Sequence, residues 1–187
     1  MWQIEELCQT ATPIIGMNDW PLFFPCDYWI ALDTGVVVNK WYLDEDFRYK
    51  DEKKFLKTLS VPKFLRRPTP TAEDFVPSDV AIFFDKHSHL DPDLPMQWSG
   101  KLVSAVTTAM AAIHLAAIMA APNPEVVLLG VDLVGNERID GSKYPDVGED
   151  WWGRHLETIN KVLFLFKESG VKIYKTNKDS PLELPLF

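Results

Sequence analysis

Short apolar runs that do not alternate with polar residues recur along the chain. Most are rich in β-branched or aromatic residues, which is typical of strands covered on both faces of a parallel sheet. A weaker run, Val61–Leu65, contains Pro62, so we expect this strand at an edge of the sheet. The five clearest runs are Pro13–Met17, Tyr28–Leu32, Val80–Phe84, Val126–Val131 and Val171–Tyr174.

Segments with helical spacing separate several of these runs. Alternating strands and helices predict parallel pairing through right-handed crossovers. We therefore predict an α/β protein, a single-domain Rossmann-like three-layer sandwich with a mostly parallel sheet over residues 1–187. The predicted helices are Phe47–Leu59, Gly100–Ala120 and Trp151–Ser169, the last followed by Gly170 as its C-cap.

The apolar stretch from Leu102 to Ala121 has the length of a membrane span and contains no Asp, Glu, Lys or Arg. It also contains Ser, Thr and His114, and much of the rest is alanine, which contributes little to insertion. We expect a helix buried against the sheet, with His114 in the core, and no membrane span.

The charge balance argues against one class of partner. A net charge of −8 over 187 residues excludes nucleic acid as an expected ligand, because basic patches supply most of that affinity. The two cysteines, Cys8 and Cys26, lack metal-ligand spacing, so we predict free thiols and a cytoplasmic location.

Polar residues follow the predicted strands. Carboxyl ends of parallel strands share one edge, where open α/β sheets bind ligands. Asn and Asp are also favoured in caps and turns, which explains any one of them without a ligand. Taken together they favour a ligand site: Asn18, Asp33, Asp85, Asp132 and Asn177.

Ser99-Gly100 precedes the long apolar segment as if it opened a helix. Ser99 is a good N-cap, Gly100 permits close approach to the backbone, and Lys101 adds a cation. A helix start of this kind favours a phosphate or carboxylate. The alternative is a plain cap with a packing glycine.

Histidine offers acid–base chemistry near the last helix. His155 follows a Gly/Asp-rich loop and can act as a general base, while Arg154 beside it can hold a phosphate. The alternative is a surface histidine in the first helical turn. His87 and His89 lack a third spaced ligand, so we predict no metal site.

The stretch from Ser99 to Asp132 carries a family resemblance. Ser-Gly, an alanine-rich segment and a strand ending Leu-Gly-Val-Asp resemble bacterial lipooligosaccharide sialyltransferases and hydroxymethylpterin diphosphokinase-like proteins, which include many bacterial and phage members. The resemblance extends more loosely to three further stretches, Ile14–Asn18, Asp27–Asp33 and Val171–Pro181.

The resemblance implies a nucleotide-binding transferase with a Rossmann-like sheet. His155 and Asp132 match the catalytic positions, with His155 taking a proton from the acceptor hydroxyl. Helix-end amides and Arg154 or Lys101 would stabilise the departing phosphate. The residues predicted to bind the nucleotide are Asn18, Asp33, Ser99, Gly100, Lys101 and Arg154.

Two features depart from the family. Members begin with a strand leading into a Gly-x-Gly-Pro-Ser loop, whereas this chain begins Met1-Trp2-Gln3 and has no such loop. We expect either a truncated reading frame or a shortened relative that lacks the family's first strand. The tyrosine pair of the sialyltransferases is also missing, and the tyrosine nearest Asp132 is Tyr144.

Three functions remain open at this point. The first is a glycosyltransferase-like protein that binds a nucleotide or nucleotide sugar. The second is diphosphokinase-like phosphoryl transfer with ATP, the one case that calls for magnesium, held by Asp33, Asp85 or Asp132. The third is a non-catalytic scaffold that pairs through an open sheet edge, as a homo-oligomer or with another protein.

Overall fold

The computed structural model describes residues 13–32, 58–67, 81–87, 96–105, 107–131 and 150–187, without the side chains of residues 83 and 150–154. The chain divides into two compact units. One comprises Met1–His87 with Gly100–Ala112, and the other comprises Ser88–Ser99 with Ile113–Phe187. The single domain expected over residues 1–187 stays a prediction.

The first unit is built on a parallel sheet. In the described part of the chain, five strands pair in chain order and all neighbours are parallel. A short 3₁₀ helix, Trp20–Leu22, connects the first two strands. The strands are β1 (Ile15–Met17), β2 (Tyr28–Ala31), β3 (Lys63–Arg66), β4 (Ala81–His87) and β5 (Lys101–Val103).

This sheet confirms the predicted α/β class with mostly parallel pairing and is consistent with a Rossmann-like fold. The five described strands follow one another without a reversal of order. In doubly wound sheets such a reversal opens the ligand crevice. A ligand site on this sheet therefore depends on the segments that follow the strands.

Side chains on both faces of the sheet are buried, as the non-alternating runs predict. Trp29, Ile30 and Ala31 of β2 are all 0% exposed. Trp29 and Ala31 pack with Leu65 of β3 in one hydrophobic cluster. Full burial of one large apolar side chain stabilises a fold by about 1.5–3 kcal/mol.

β1 is closely packed at Gly16. A Cβ atom at Gly16 would lie 2.7 Å from Cδ1 of Trp20 and 3.0 Å from Sγ of Cys26. Burial raises the pKa of the Cys26 thiol to about 11, against the lowering effect of its hydrogen bond to the Gly16 backbone. Cys26 is a free thiol, as predicted, and it is half-buried. Cys8 lies outside the described residues.

The predicted edge position of Val61–Leu65 is wrong. β3 lies between β2 and β4 in the interior of the sheet. Pro62 precedes the strand, so its missing N–H removes no bond from the ladder. Its carbonyl oxygen still accepts a hydrogen bond of 3.0 Å from the N–H of Trp29.

β4 is longer than the run Val80–Phe84 predicts. It continues through Asp85 to His87, because these residues pair with Lys101–Val103 of β5. This part of β4 extends past Arg66, where β3 ends. The end of the apolar run therefore marks the end of the neighbouring strand, and Asp85 is a strand residue.

The helix predicted over Gly100–Ala120 is a strand followed by a shorter helix. Lys101–Val103 forms β5, and α1 covers Thr108–Met119. Among the residues described, no helix combines the length and apolar character that crossing a membrane requires.

The predicted helix cap at Ser99 is consequently wrong. Thr107 caps α1, since its Oγ1 accepts a hydrogen bond of 3.4 Å from the N–H of Met110. Gly100 has a φ of +77°, which suits a turn into β5 and not the first turn of a helix.

The second unit contains a two-stranded parallel sheet and a long helix. The helix ends in a Schellman motif: Gly170 has a φ of +85° and donates to the carbonyl of Lys167, and Val171 donates to the carbonyl of Phe166. This confirms the predicted C-cap. The elements are β6 (Glu125–Leu128), α2 (Asp150–Glu168) and β7 (Lys172–Lys175).

His114 is a core residue, as predicted. Its side chain is 0% exposed, and its ring centroid lies 5.7 Å from that of Phe166 in α2. Phe166 is also fully buried.

Candidate functional site

Asn18 directly follows β1, and two hydrogen bonds hold its backbone in place. Its N–H donates to the carbonyl of Ile30 at 3.0 Å, and its carbonyl accepts a 2.6 Å hydrogen bond from Nε1 of Trp29. Its φ is +50°, a left-handed conformation that asparagine tolerates better than most residues. The backbone is thus fixed at the carboxyl end of the sheet.

The side chain of Asn18 meets the start of α1. Thr108 Oγ1 donates a 3.3 Å hydrogen bond to Asn18 Oδ1, across 90 residues of sequence. The first N–H groups of a helix have no partner within the helix itself, and the helix dipole makes this end positive. In α1 these groups belong to Thr108 and Ala109.

Backbone strain accompanies this contact. Ala105, between β5 and α1, has a φ of +42°. The left-handed region costs a residue with a Cβ roughly 1–2 kcal/mol, and such strain concentrates at functional sites. We call the group formed by Asn18, Ala105, Thr107 and Thr108 the Asn18 corner.

Lys101 lies in a row of charges at the end of the sheet. It pairs in register with Asp85, and Asp85 Oδ1 lies 3.3 Å from Nε of Arg67. All three side chains are exposed. Lys101 thus has the carboxylate of Asp85 as its neighbour. Because a carboxylate repels a phosphate, Lys101 is a weaker candidate for phosphate binding than the sequence suggests.

The polar residues after β7 form a turn closed on itself. Asn177 Oδ1 accepts from the N–H of Asp179 at 2.9 Å, and the N–H of Ser180 donates to the Asn177 carbonyl at 3.3 Å. Lys175 Nζ donates to the carbonyls of Ser180 and Leu182 at 2.6 and 2.8 Å. We call residues 175–182 the Asn177 turn. Its polar groups stabilise the chain itself.

The remaining predicted residues divide between the two units or lie outside the description. His155 is half-buried in the second turn of α2, in the second unit. Ser99, also in the second unit, is exposed. Asp33, Asp132 and the side chain of Arg154 lie outside the described residues.

Carboxylates bear on the magnesium alternative. Of its three candidate ligands only Asp85 is described, and it is paired with Arg67. Among the described side chains, no three of His, Cys, Asp and Glu are grouped so as to hold a metal ion.

The sequence prediction does not include the N-terminus of α1. Thr107 and Thr108 lie within the apolar stretch Leu102–Ala121, although threonine before an alanine-rich run is itself an N-cap signal. The positive φ of Ala105 could not be predicted from the sequence, because alanine rarely adopts this conformation.

Comparison of this chain with protein-family models, curated proteins and solved structures gave no match. The resemblance to sialyltransferases and diphosphokinase-like proteins therefore rests on the sequence motifs alone.

Proposed function

We propose that this protein binds a nucleotide-activated sugar at the Asn18 corner and is a glycosyltransferase-like, sialyltransferase-like enzyme. The observation that supports this best is the hydrogen bond between Thr108 and Asn18. It brings the residue that the family resemblance assigns to the nucleotide against the N-terminus of a 12-residue helix.

Physical chemistry favours a phosphate at such a place. The first N–H groups, which have no partner within the helix, and the positive end of the dipole both attract an anion. The Asn18 amide adds a neutral hydrogen-bonding group that suits a base or a sugar hydroxyl. The phosphate contact thus moves from Ser99-Gly100, where the sequence predicted it, to the start of α1.

The proposed reaction transfers the sugar from its phosphate to an acceptor hydroxyl. A general base takes the hydroxyl proton, a role that the family resemblance assigns to His155, and the acceptor oxygen forms a bond to the anomeric carbon. The bond from that carbon to the phosphate oxygen breaks, and its electron pair leaves with the nucleotide. Positive groups near the phosphate stabilise the developing charge.

A thermal-shift panel of nucleotides, with and without magnesium, tests the binding. A ligand at a hundred times its Kd adds about 2.7 kcal/mol, which raises Tm by roughly 5–10 °C for a chain of this size. We expect CMP or UMP to stabilise the protein without magnesium. Stabilisation only by ATP with magnesium would instead indicate phosphoryl transfer, and no shift with any nucleotide would refute the proposal.

Matched threonine variants locate the site. Thr108→Val removes the hydroxyl that contacts Asn18, and Thr176→Val removes a hydroxyl that donates to the Leu128 carbonyl at 3.0 Å after β7. We expect Thr108→Val alone to reduce the shift produced by CMP. Equal reductions in both variants would place the nucleotide elsewhere.

The catalytic assignment has its own test. His155→Ala should abolish sugar transfer while CMP still raises Tm. If the variant turns over at the wild-type rate, His155 is not the base.

A further inference from the structure

Two cations share one face of the sheet where β3 and β4 end. Arg66 of β3 pairs in register with Phe84 of β4, and Lys86 lies two residues beyond Phe84. Side chains two residues apart on a strand point to the same face. The strand spacing and rise place the Cα atoms of Arg66 and Lys86 roughly 8 Å apart.

Buried apolar residues lie beside this pair in the sheet. Phe84 and Leu102, which pairs in register with Lys86, are both 0% exposed. The loss of hydration and, secondly, the positive charge of Arg66 lower the pKa of Lys86 below that of an ordinary lysine. Lys86 is exposed and Arg66 is half-buried, so the two like charges lie at the solvent surface beside these buried apolar side chains.

No carboxylate among the described residues neutralises the pair. The ion pairs found there join Arg67 to Asp85 and Lys161 to Glu157. Arg67 follows Arg66 directly, and its partner Asp85 precedes Lys86, so alternation places that pair on the opposite face. In a chain with a net charge of −8, a cation pair with no carboxylate partner in the described part of the chain is a local exception.

We propose that Arg66 and Lys86 together bind a phosphate or diphosphate anion at the carboxyl end of β3 and β4. Guanidinium donates two parallel hydrogen bonds to such oxygens, and ammonium adds a point charge. Arg66 lies two strands and one residue level from Asn18, roughly 10 Å on the sheet lattice. The proposal goes beyond the proposed function: it assigns an anion site that is separate from the phosphate contact at the start of α1.

Calorimetric titration of the full chain with inorganic pyrophosphate tests the site directly. We expect Arg66→Gln and Lys86→Gln each to weaken binding at least tenfold. Arg67→Gln is the matched control, because it removes the same charge from the next residue on the opposite face. Its affinity should stay within twofold of wild type.

Three outcomes would overturn the inference: no binding to wild type at millimolar pyrophosphate, equal affinity in all variants, or an equal loss in Arg67→Gln. Circular dichroism must show that each variant folds. If Arg66→Gln does not fold, Arg66→Lys replaces it, because lysine keeps the positive charge but cannot donate two parallel hydrogen bonds. We then expect the affinity for pyrophosphate to fall by more than twofold but less than tenfold.

Titration with CMP separates this inference from the proposed function. If CMP binds wild type and both glutamine variants equally, the nucleotide function stands and the cation pair is not its phosphate site. If pyrophosphate binding depends on the pair but no nucleotide binds, the anion site stands and the nucleotide function fails.

Discussion

Lysine residues lie near the carboxyl ends of strands in both units, but their hydrogen-bonding partners differ. One lysine lies at the end of β7 of the second unit, and the other is in β4 of the first unit. After β7, Lys175 has its Nζ held by two carbonyl oxygens and Asn177 is bonded within its own turn. In β4, Lys86 lies near another cation, and within the described residues it has no carboxylate partner. The first arrangement stabilises the fold, whereas the second stabilises it little and leaves charge available.

This difference separates structural from functional polar residues. A polar group already bonded to its own chain would have to give up that bond to hold a ligand. Polar groups at the ends of strands are thus candidates for a site only when the fold does not use them. By this criterion the Asn177 turn is structural, and Arg66 and Lys86 are candidates for a site. At the Asn18 corner the criterion leaves the first N–H groups of α1, since Asn18 Oδ1 is already bonded to Thr108.

The lysines should give the largest contrast in stability. Lys175→Met leaves the carbonyls of Ser180 and Leu182 without their charged donor, so we expect a loss of about 1.5–3 kcal/mol. Lys86→Met removes a charge that is repelled by Arg66, and the free energy of unfolding should stay within about 0.5 kcal/mol or rise. Urea denaturation of both variants measures the free energy of unfolding. Equal losses in the two variants would show that Lys86 and Lys175 do not differ in their contribution to stability.

The sign of the Lys86 effect can be checked by pH. Because the folded protein binds the Lys86 proton more weakly than the unfolded chain, stability gains from this group as pH rises through its lowered pKa toward 10.5. Lys86→Met should lose that gain, so its stability relative to wild type should fall over the same interval.

The asparagines should differ mainly in ligand binding. Asn177→Ala removes the hydrogen bond from Asp179 and should cost about 1 kcal/mol of stability without changing CMP affinity. Asn18→Ala removes the bond from Thr108 and places alanine at a φ of +50°, so it should cost somewhat more stability. It should also weaken CMP about tenfold, or about 1.4 kcal/mol. Calorimetric titration of both variants decides this. A tenfold loss in Asn177→Ala would place the nucleotide in the second unit.

The sequence predicted the strands better than it predicted where they end. The runs Tyr28–Leu32 and Val171–Tyr174 lie within a residue of β2 and β7, because burial on both faces leaves a continuous apolar signal. Lys86 was missed as a strand residue, since β4 continues past its neighbour and its pairing there is with β5. Pairing between segments this distant in sequence has no local signature.

The start of α1 was misplaced for a related reason. Leu102 and Val103 of β5 are apolar, as is most of the helix after Thr107, so periodicity alone merges a short strand with the helix. The Asn18 corner could be predicted only in part: Asn18 follows an evident strand, but its contact with Thr108 depends on the tertiary structure.

The corrected helix start gives the smallest expected effect. Thr107→Ala removes the side chain that caps Met110, and loss of an N-cap costs about 1 kcal/mol. Ser99→Ala removes an exposed hydroxyl that precedes a strand, so its cost should stay within about 0.5 kcal/mol. Urea denaturation of the two variants compares the two helix starts directly. If Ser99→Ala costs more than Thr107→Ala, the helix begins where the sequence predicted it, and the Asn18 corner loses the helix end on which its anion binding depends.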